Sequence, residues 1–174
     1  MNTLLIGGSS TIGKYLIKDE KKIFFIFYKN KISKGIKFNI LKDSIIPIIK
    51  KYNISKVVFL SAISDPNLCF NNKKATFELN VKKTKEILEK LIKKKIYFIF
   101  FSSEYVYSGK KGNYKESDLA SPINEYGKQK LKVEKYIVNH YNNCAIFRIA
   151  KTYSNNLNDN TLISVFLKKI IKGE

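Results

Sequence analysis

Two hydroxyls stand side by side at Ser102 and Ser103, directly after the apolar run Ile96–Phe101, and a tyrosine and a lysine follow at Tyr126 and Lys130. On a helix, a spacing of four residues sets both side chains on one face, one turn apart. A serine, a tyrosine and a lysine that converge on one point can move a proton on and off an oxygen. Without other context the same tyrosine and lysine would be an exposed helical pair, so the surrounding chain has to supply the reason to bring them together.

The elements that must do so are legible as alternating runs. Thr3–Ile6 reads as a first strand bounded by Gly7-Gly8, with a helix from Thr11 to about Lys18. Ile23–Tyr28 is a second, nearly continuous apolar run, as expected of a parallel strand buried on both faces. Ile36–Phe38 is a weaker third strand, Ser44–Lys51 a helix with Pro47 in its first turn, and Val57–Leu60 a fourth strand. Asp65-Pro66 opens a short helix. Ala75–Lys94 is a long one, with Leu79, Ile87, Leu88, Leu91 and Ile92 on one stripe. Ile96–Phe101 is the fifth strand, Pro122–His140 a helix, Cys144–Ile149 the sixth strand and Leu162–Ile171 a last amphipathic helix. Strands alternating with helices predict an α/β fold, a doubly wound parallel sheet in three α/β/α layers with strand order 3-2-1-4-5-6. The size of the chain, 174 residues, is that of one domain.

Gly7-Gly8-Ser9-Ser10-Thr11-Ile12-Gly13 links the first strand to the first helix, the context in which backbone N–H groups meet a pyrophosphate. Gly7 suits the tight turn and Gly13 a close helix–sheet approach, while Ser10 stands where a middle glycine is usual. Read instead as a nucleotide-triphosphate loop, Gly8 to Gly13-Lys14 is followed by Tyr15 where a Ser or Thr would hold Mg²⁺. After the second strand comes Tyr28-Lys29-Asn30-Lys31, with no acid to bind ribose hydroxyls. A carboxylate there would repel a 2′-phosphate and Lys29 or Lys31 would attract it. The expected cofactor is therefore NADPH, with NADH the alternative.

The formal charge is +19, carried by lysines spread through the chain, and Arg148 is the single arginine. Arginine is the preferred bidentate reader of bases and phosphates, so compositional drift accounts for the charge better than a nucleic-acid partner. Cys69 and Cys144 have no metal-type spacing and are expected to be free thiols in a reducing compartment. His140 is alone, which excludes a histidine-based metal cluster or a Ser-His-Asp triad. Neither a signal peptide nor a membrane span is expected, and the expected location is cytoplasmic.

From Ser102 to Lys130 the chain resembles the extended short-chain dehydrogenase/reductase superfamily, nearest to dTDP-4-dehydrorhamnose reductases and related sugar-nucleotide reductases. The resemblance rests on ordered blocks: Val57–Ala62, Asp65–Cys69 followed by Leu79-Asn80-Val81, Ser102–Gly109, Gly112–Asp118, and Pro122 leading to Tyr126-Gly127-x-x-Lys130. It implies a Rossmann-like dinucleotide-binding domain over residues 1–174, with the substrate half largely missing after the sixth strand. It also implies that Tyr126 donates a proton to a ketone oxygen of a nucleotide-sugar substrate. Ser103, rather than Ser102, would bond the same oxygen and polarise it. Lys130 would lower the phenol's pKa from about 10 and hold the nicotinamide ribose. The cofactor contacts expected are Gly7, Ser10, Thr11, Ile12, Gly13, Lys29, Asn39, Ser61, Ala62, Asn80, Tyr126 and Lys130. Asn80 serves equally well as a cap of the long helix. Arg148 receives no chemistry. An epimerase or dehydratase is the neighbouring activity, and a non-catalytic nucleotide-binding subunit the alternative from another class. The expected assembly is a homodimer or a pairing with a separate subunit that completes the substrate half.

Overall fold

The computed structural model describes residues 1–17, 22–152 and 162–172. Strands β1 (Asn2–Ile6), β2 (Ile23–Phe27), β3 (Ile36–Lys37), β4 (Ile54–Phe59), β5 (Tyr97–Ser103) and β6 (Cys144–Ile149) form one sheet. Its order is β3-β2-β1-β4-β5-β6, as the alternation predicts, and all five pairings are parallel. Sequence order reverses between β1 and β4. That reversal opens a crevice at the carboxyl ends of those two strands, the general ligand position of such sheets.

The crossovers carry α1 (Thr11–Ile17), α2 (Ile46–Lys51), α3 (Pro66–Asn71), α4 (Lys73–Phe77), α5 (Thr84–Lys93) and α6 (Glu125–His140), and α7 (Leu162–Lys172) follows β6. Lys18, expected to end the first helix, lies outside the described residues. Asp65 caps α3 by accepting from Asn67 N and Leu68 N at 2.8 and 3.0 Å, with Pro66 in the first turn. The helix expected from Pro122 begins at Glu125 instead. Asn124 is extended there, and its side chain accepts from Gly127 N at 2.8 Å, so Pro122 and Ile123 stay outside the helix.

The long helix expected from Ala75 to Lys94 is interrupted by a π turn at Glu78–Lys83. Thr84 Oγ1 donates to Leu79 O across that turn at 3.0 Å. The wider turn breaks the expected single stripe: Leu79 is only half-buried, while Asn80 and Val81 face inward. One continuous core lies on this side of the sheet, where Leu4, Val57, Phe59, Phe98 and Phe100 meet Leu88, Leu91, Val133 and Ile137. Each large side chain buried there contributes about 1.5–3 kcal/mol. On the other face Ile17 of α1 and Phe25 of β2 close over Gly8.

Candidate active site

The glycine loop is built by contact between backbones. Gly7 has φ +100°, and a Cβ there would sit 2.9 Å from Ser61 N. A Cβ on Gly13 would lie 2.6 Å from Gly7 O and 2.8 Å from Gly8 O. Ser10, at the place of the usual middle glycine, spends its hydroxyl on the loop itself by accepting from Gly13 N at 3.0 Å. It caps α1, a role its position ahead of the helix could have announced.

Two clefts flank this loop along the carboxyl edge of the sheet. The smaller, about 220 Å³, is lined by Gly7, Tyr28, Lys29, Asn39, Ser61 and Leu79 among others. The larger, about 590 Å³, is lined by Ser10, Thr11 and Ile12, by Ala62, by Ser102 to Tyr105, and by Tyr126 and Lys130. Every expected contact residue therefore borders a cleft except Gly13, which shapes the loop, and Asn80. Asn39 Oδ1 accepts from Leu41 N at 3.0 Å, and Asn39 N donates to the Asp43 carboxylate at 2.6 Å. Asp43 is thus an acid close to the first cleft, contributed by the segment after β3 rather than by the end of β2.

Asn80 is a correction to the expected cofactor contacts, and it caps nothing. It is 3% exposed, and its amide is consumed by protein. Oδ1 accepts from Ile63 N at 2.9 Å, and Nδ2 donates to Ile63 O at 2.9 Å and to Gln129 Oε1 at 2.8 Å.

Ser103 ends β5, and Tyr126 and Lys130 lie one turn apart on the inward face of α6. The helix approaches closely because Gly127 has no side chain; a Cβ there would collide with the Tyr105 carbonyl. Lys130, 3% exposed, donates from Nζ to Phe101 O at 2.7 Å. Its Nζ lies 4.6 Å from the Phe100 ring centre and 5.8 Å from that of Tyr126. Ser103 Oγ donates to Glu104 Oε2 at 3.0 Å and accepts from Tyr105 N at 3.3 Å. Ser102 Oγ, also bordering the cleft, is buried and unpartnered.

The electrostatics reverse one expectation. Burial, reinforced by Cys69, Glu104 and Tyr105, pushes the Tyr126 phenol up rather than down. Burial also pushes Lys130 down to about 7, against the pull of Glu134. A lysine taken out of water loses much of the charge that was expected to favour a phenolate. At neutral pH the phenol holds its proton.

Arg148 is the organiser that the sequence reading missed. Its Nη1 donates to Tyr107 Oη at 2.6 Å and to Glu116 O at 3.2 Å, and its Nη2 donates to the Glu134 carboxylate at 2.8 Å. The Glu134 pair and Tyr107 push its pKa further up. Tyr107 in turn donates to Lys115 O at 2.8 Å and stacks on Tyr114. One guanidinium thus ties the loop after β5 to β6 and α6. Its sequence signal was the rarity of arginine in a lysine-rich chain.

The residues present suit a dinucleotide. The glycine cradle would be filled by any Cβ, the two clefts adjoin it, and an orphaned buried hydroxyl faces the larger one. The family described as RmlD substrate binding domain matches residues 1–174.

The chain belongs to that family.

Among curated relatives of this RmlD-family chain, methionine adenosyltransferase 2 subunit beta of Bos taurus is 30% identical over 106 residues, 61% of this chain and 32% of that protein. A hypothetical dTDP-4-dehydrorhamnose reductase from Sulfolobus tokodaii superposes with TM-score 0.80 at 26% identity, covering 90% of this chain and 58% of that one. MoeE5, solved with UDP-glucose and NAD, gives TM-score 0.84 at 21% identity, covering 100% and 62%. A dTDP-4-dehydrorhamnose reductase from Bacillus anthracis, solved with NADP, gives 0.83 at 17%, covering 99% and 61%. These last two likenesses concern the fold. The match spans about a third of the bovine protein and about three fifths of each of these structures. Among the described residues no helix is long and apolar enough to cross a membrane, and no group of His, Cys, Asp and Glu could hold a metal ion.

Proposed function

We propose that this chain carries the catalytic half of an NADPH-dependent reductase of a keto group on a sugar nucleotide, with Tyr126 as the proton donor. The observation that carries the reading is the placement of Tyr126 and Lys130, one turn apart on α6, against the end of β5 in the larger cleft. The raised pKa of Tyr126 supports it, because a phenol protonated at neutral pH is set to give a proton. An epimerase or dehydrogenase would first need the phenolate.

Gly7, Ser10, Thr11, Ile12 and Gly13 would hold the pyrophosphate, Lys29, Asn39 and Ser61 the adenosine end, and Ala62 and Lys130 the nicotinamide end. A reduced nicotinamide, when bound, supplies the hydride. Tyr126 then delivers its proton to the carbonyl oxygen. Ser103 donates to the same oxygen once its hydroxyl turns from Glu104. Lys130, poised near neutrality, returns a proton toward the phenol side of the site. A titration of NADPH and NADH by fluorescence tests the cofactor assignment: tighter NADPH binding is expected, and equal affinity or an NADH preference overturns it.

A second reading is favoured by two observations. The bovine relative is by name a subunit of another enzyme, and the Ser103 hydroxyl is already spent on Glu104. On that reading the chain binds a nucleotide without turnover and contributes to an assembly. Cofactor binding without reduction of any keto sugar, in the protein with all its partners present, would select it.

A further inference from the structure

A buried polar cluster lies behind the catalytic face of α6. Cys69, Thr76, Asn80 and Gln129 are 0, 2, 3 and 1% exposed, and they come from α3, α4, the π turn and α6. Buried polar groups away from a ligand need a reason, and here every amide atom has a partner.

The directions of the bonds are fixed. Asn80 meets both backbone groups of Ile63, so its oxygen must face Ile63 N and its nitrogen Ile63 O. Its second N–H then points at Gln129, which must present Oε1 at 2.8 Å. Gln129 Nε2 is thereby left facing Thr76 Oγ1, to which it donates at 3.0 Å. Thr76 passes its proton to the carbonyl of Asn72 at 3.0 Å or of Lys73 at 3.2 Å. Donation runs one way, from the π turn through α6 to α4. Gln129 lies between Tyr126 and Lys130 in the helix, and Ile63 lies between Ala62 and Ser64 of the cleft wall. The π turn, a device common at functional sites, is what brings Asn80 to this point.

We propose that Gln129 is a positioning residue that holds the Tyr126–Lys130 face of α6 in register with the Ala62–Ser64 wall, through Asn80. It deepens the reading of Tyr126 as proton donor and rests on that reading. A side chain that only filled space would serve without its amide. This one has to accept on one side and donate on the other, which glutamine does and which a protonated glutamate also does. A carboxylate cannot donate to Thr76.

The test is amide hydrogen exchange at Ile63, with the Lys130 Cε resonance followed by NMR, in Gln129→Leu and Gln129→Glu. Neither readout needs turnover. The Gln129→Leu protein is expected to speed Ile63 exchange about tenfold and to move the Lys130 midpoint up, toward its ordinary value. Gln129→Glu is expected to match wild type at about pH 5, where a buried carboxyl stays protonated, and to lose Ile63 protection by about pH 8. Cys69 and Tyr126, beside the cluster, are both raised by burial and keep their protons across that range, and the carboxylates of Asp65 and Glu125 that face Cys69 are the same in every variant. Lys130 titrates equally in the wild-type control. Wild-type Ile63 exchange in a folded Gln129→Leu protein, or a Gln129→Glu protein indifferent to pH, overturns the proposal. If the leucine variant does not fold, the glutamate variant decides alone. Failure of NADPH to bind wild type would sink the reductase reading and leave the exchange result standing.

Discussion

The guanidinium of Arg148 closes on the carboxylate of Glu134, with Nη2 2.8 Å from Oε2 and Nε 3.2 Å from both oxygens. Glu134 is only 3% exposed. Removing the arginine would leave a buried carboxylate without its counter-charge and the Tyr107 hydroxyl without its donor. Arg148→Ala is expected to lower unfolding stability by roughly 3–5 kcal/mol, read as a drop in the urea midpoint. Arg148→Lys should recover little of it, because an ammonium cannot replace the fork that reaches Glu134, Tyr107 and Glu116 together.

Lys130 ties stability to pH. Its folded-state pKa lies near 7, below the ordinary 10.5. Between those values the unfolded chain binds a proton that the folded chain lacks, so this group makes stability rise with pH through the window and exacts its full cost below it. Lys130→Met is therefore expected to be more stable than wild type, with the largest difference near pH 6 and almost none by about pH 11. Thermal unfolding across that range checks it; a difference that grew with pH would refute the burial argument.

Tyr126→Phe keeps the ring and removes the proton. In the complete protein, keto-sugar reduction is expected to fall by at least about a hundredfold, with NADPH affinity nearly unchanged in fluorescence titration. Undiminished turnover would remove Tyr126 from the chemistry.

Gly127 sets the distance between α6 and the turn after β5. Gly127→Ala must drive a methyl into the Tyr105 carbonyl, which is backbone and cannot swing aside. The expected cost is about 1–3 kcal/mol, together with weaker cofactor binding as Tyr126 retreats. Gly112→Ala is a control, since a Cβ there meets nothing within 4 Å.

Much of this was readable beforehand, for identifiable reasons. The strand order followed from apolar runs alternating with helices, because parallel strands need crossovers of one hand. The cleft residues were placed by motif order, since strand ends and glycine turns must meet at the crevice. The π turn at Glu78–Lys83 was invisible because it keeps helical composition and changes only the pitch. That change moved Asn80 from an expected ligand contact to a buried bridge. The sign of the Tyr126 shift was misjudged because spacing shows that a lysine is near, and only packing shows that it is dry. Arg148 went unassigned because its partners, Tyr107, Glu116 and Glu134, are distant in sequence.

Lys130 is the one lysine buried among the described residues. Lys29 and Lys151 border the clefts, but the rest of the protein's large positive charge lies apart from the proposed proton chemistry. Exchanging the surface lysines away from the clefts for neutral polar residues would change solubility and isoelectric point while leaving the site's dielectric environment intact. A lineage can consequently drift toward a lysine-rich composition, or away from it, without renegotiating how its active site handles a proton.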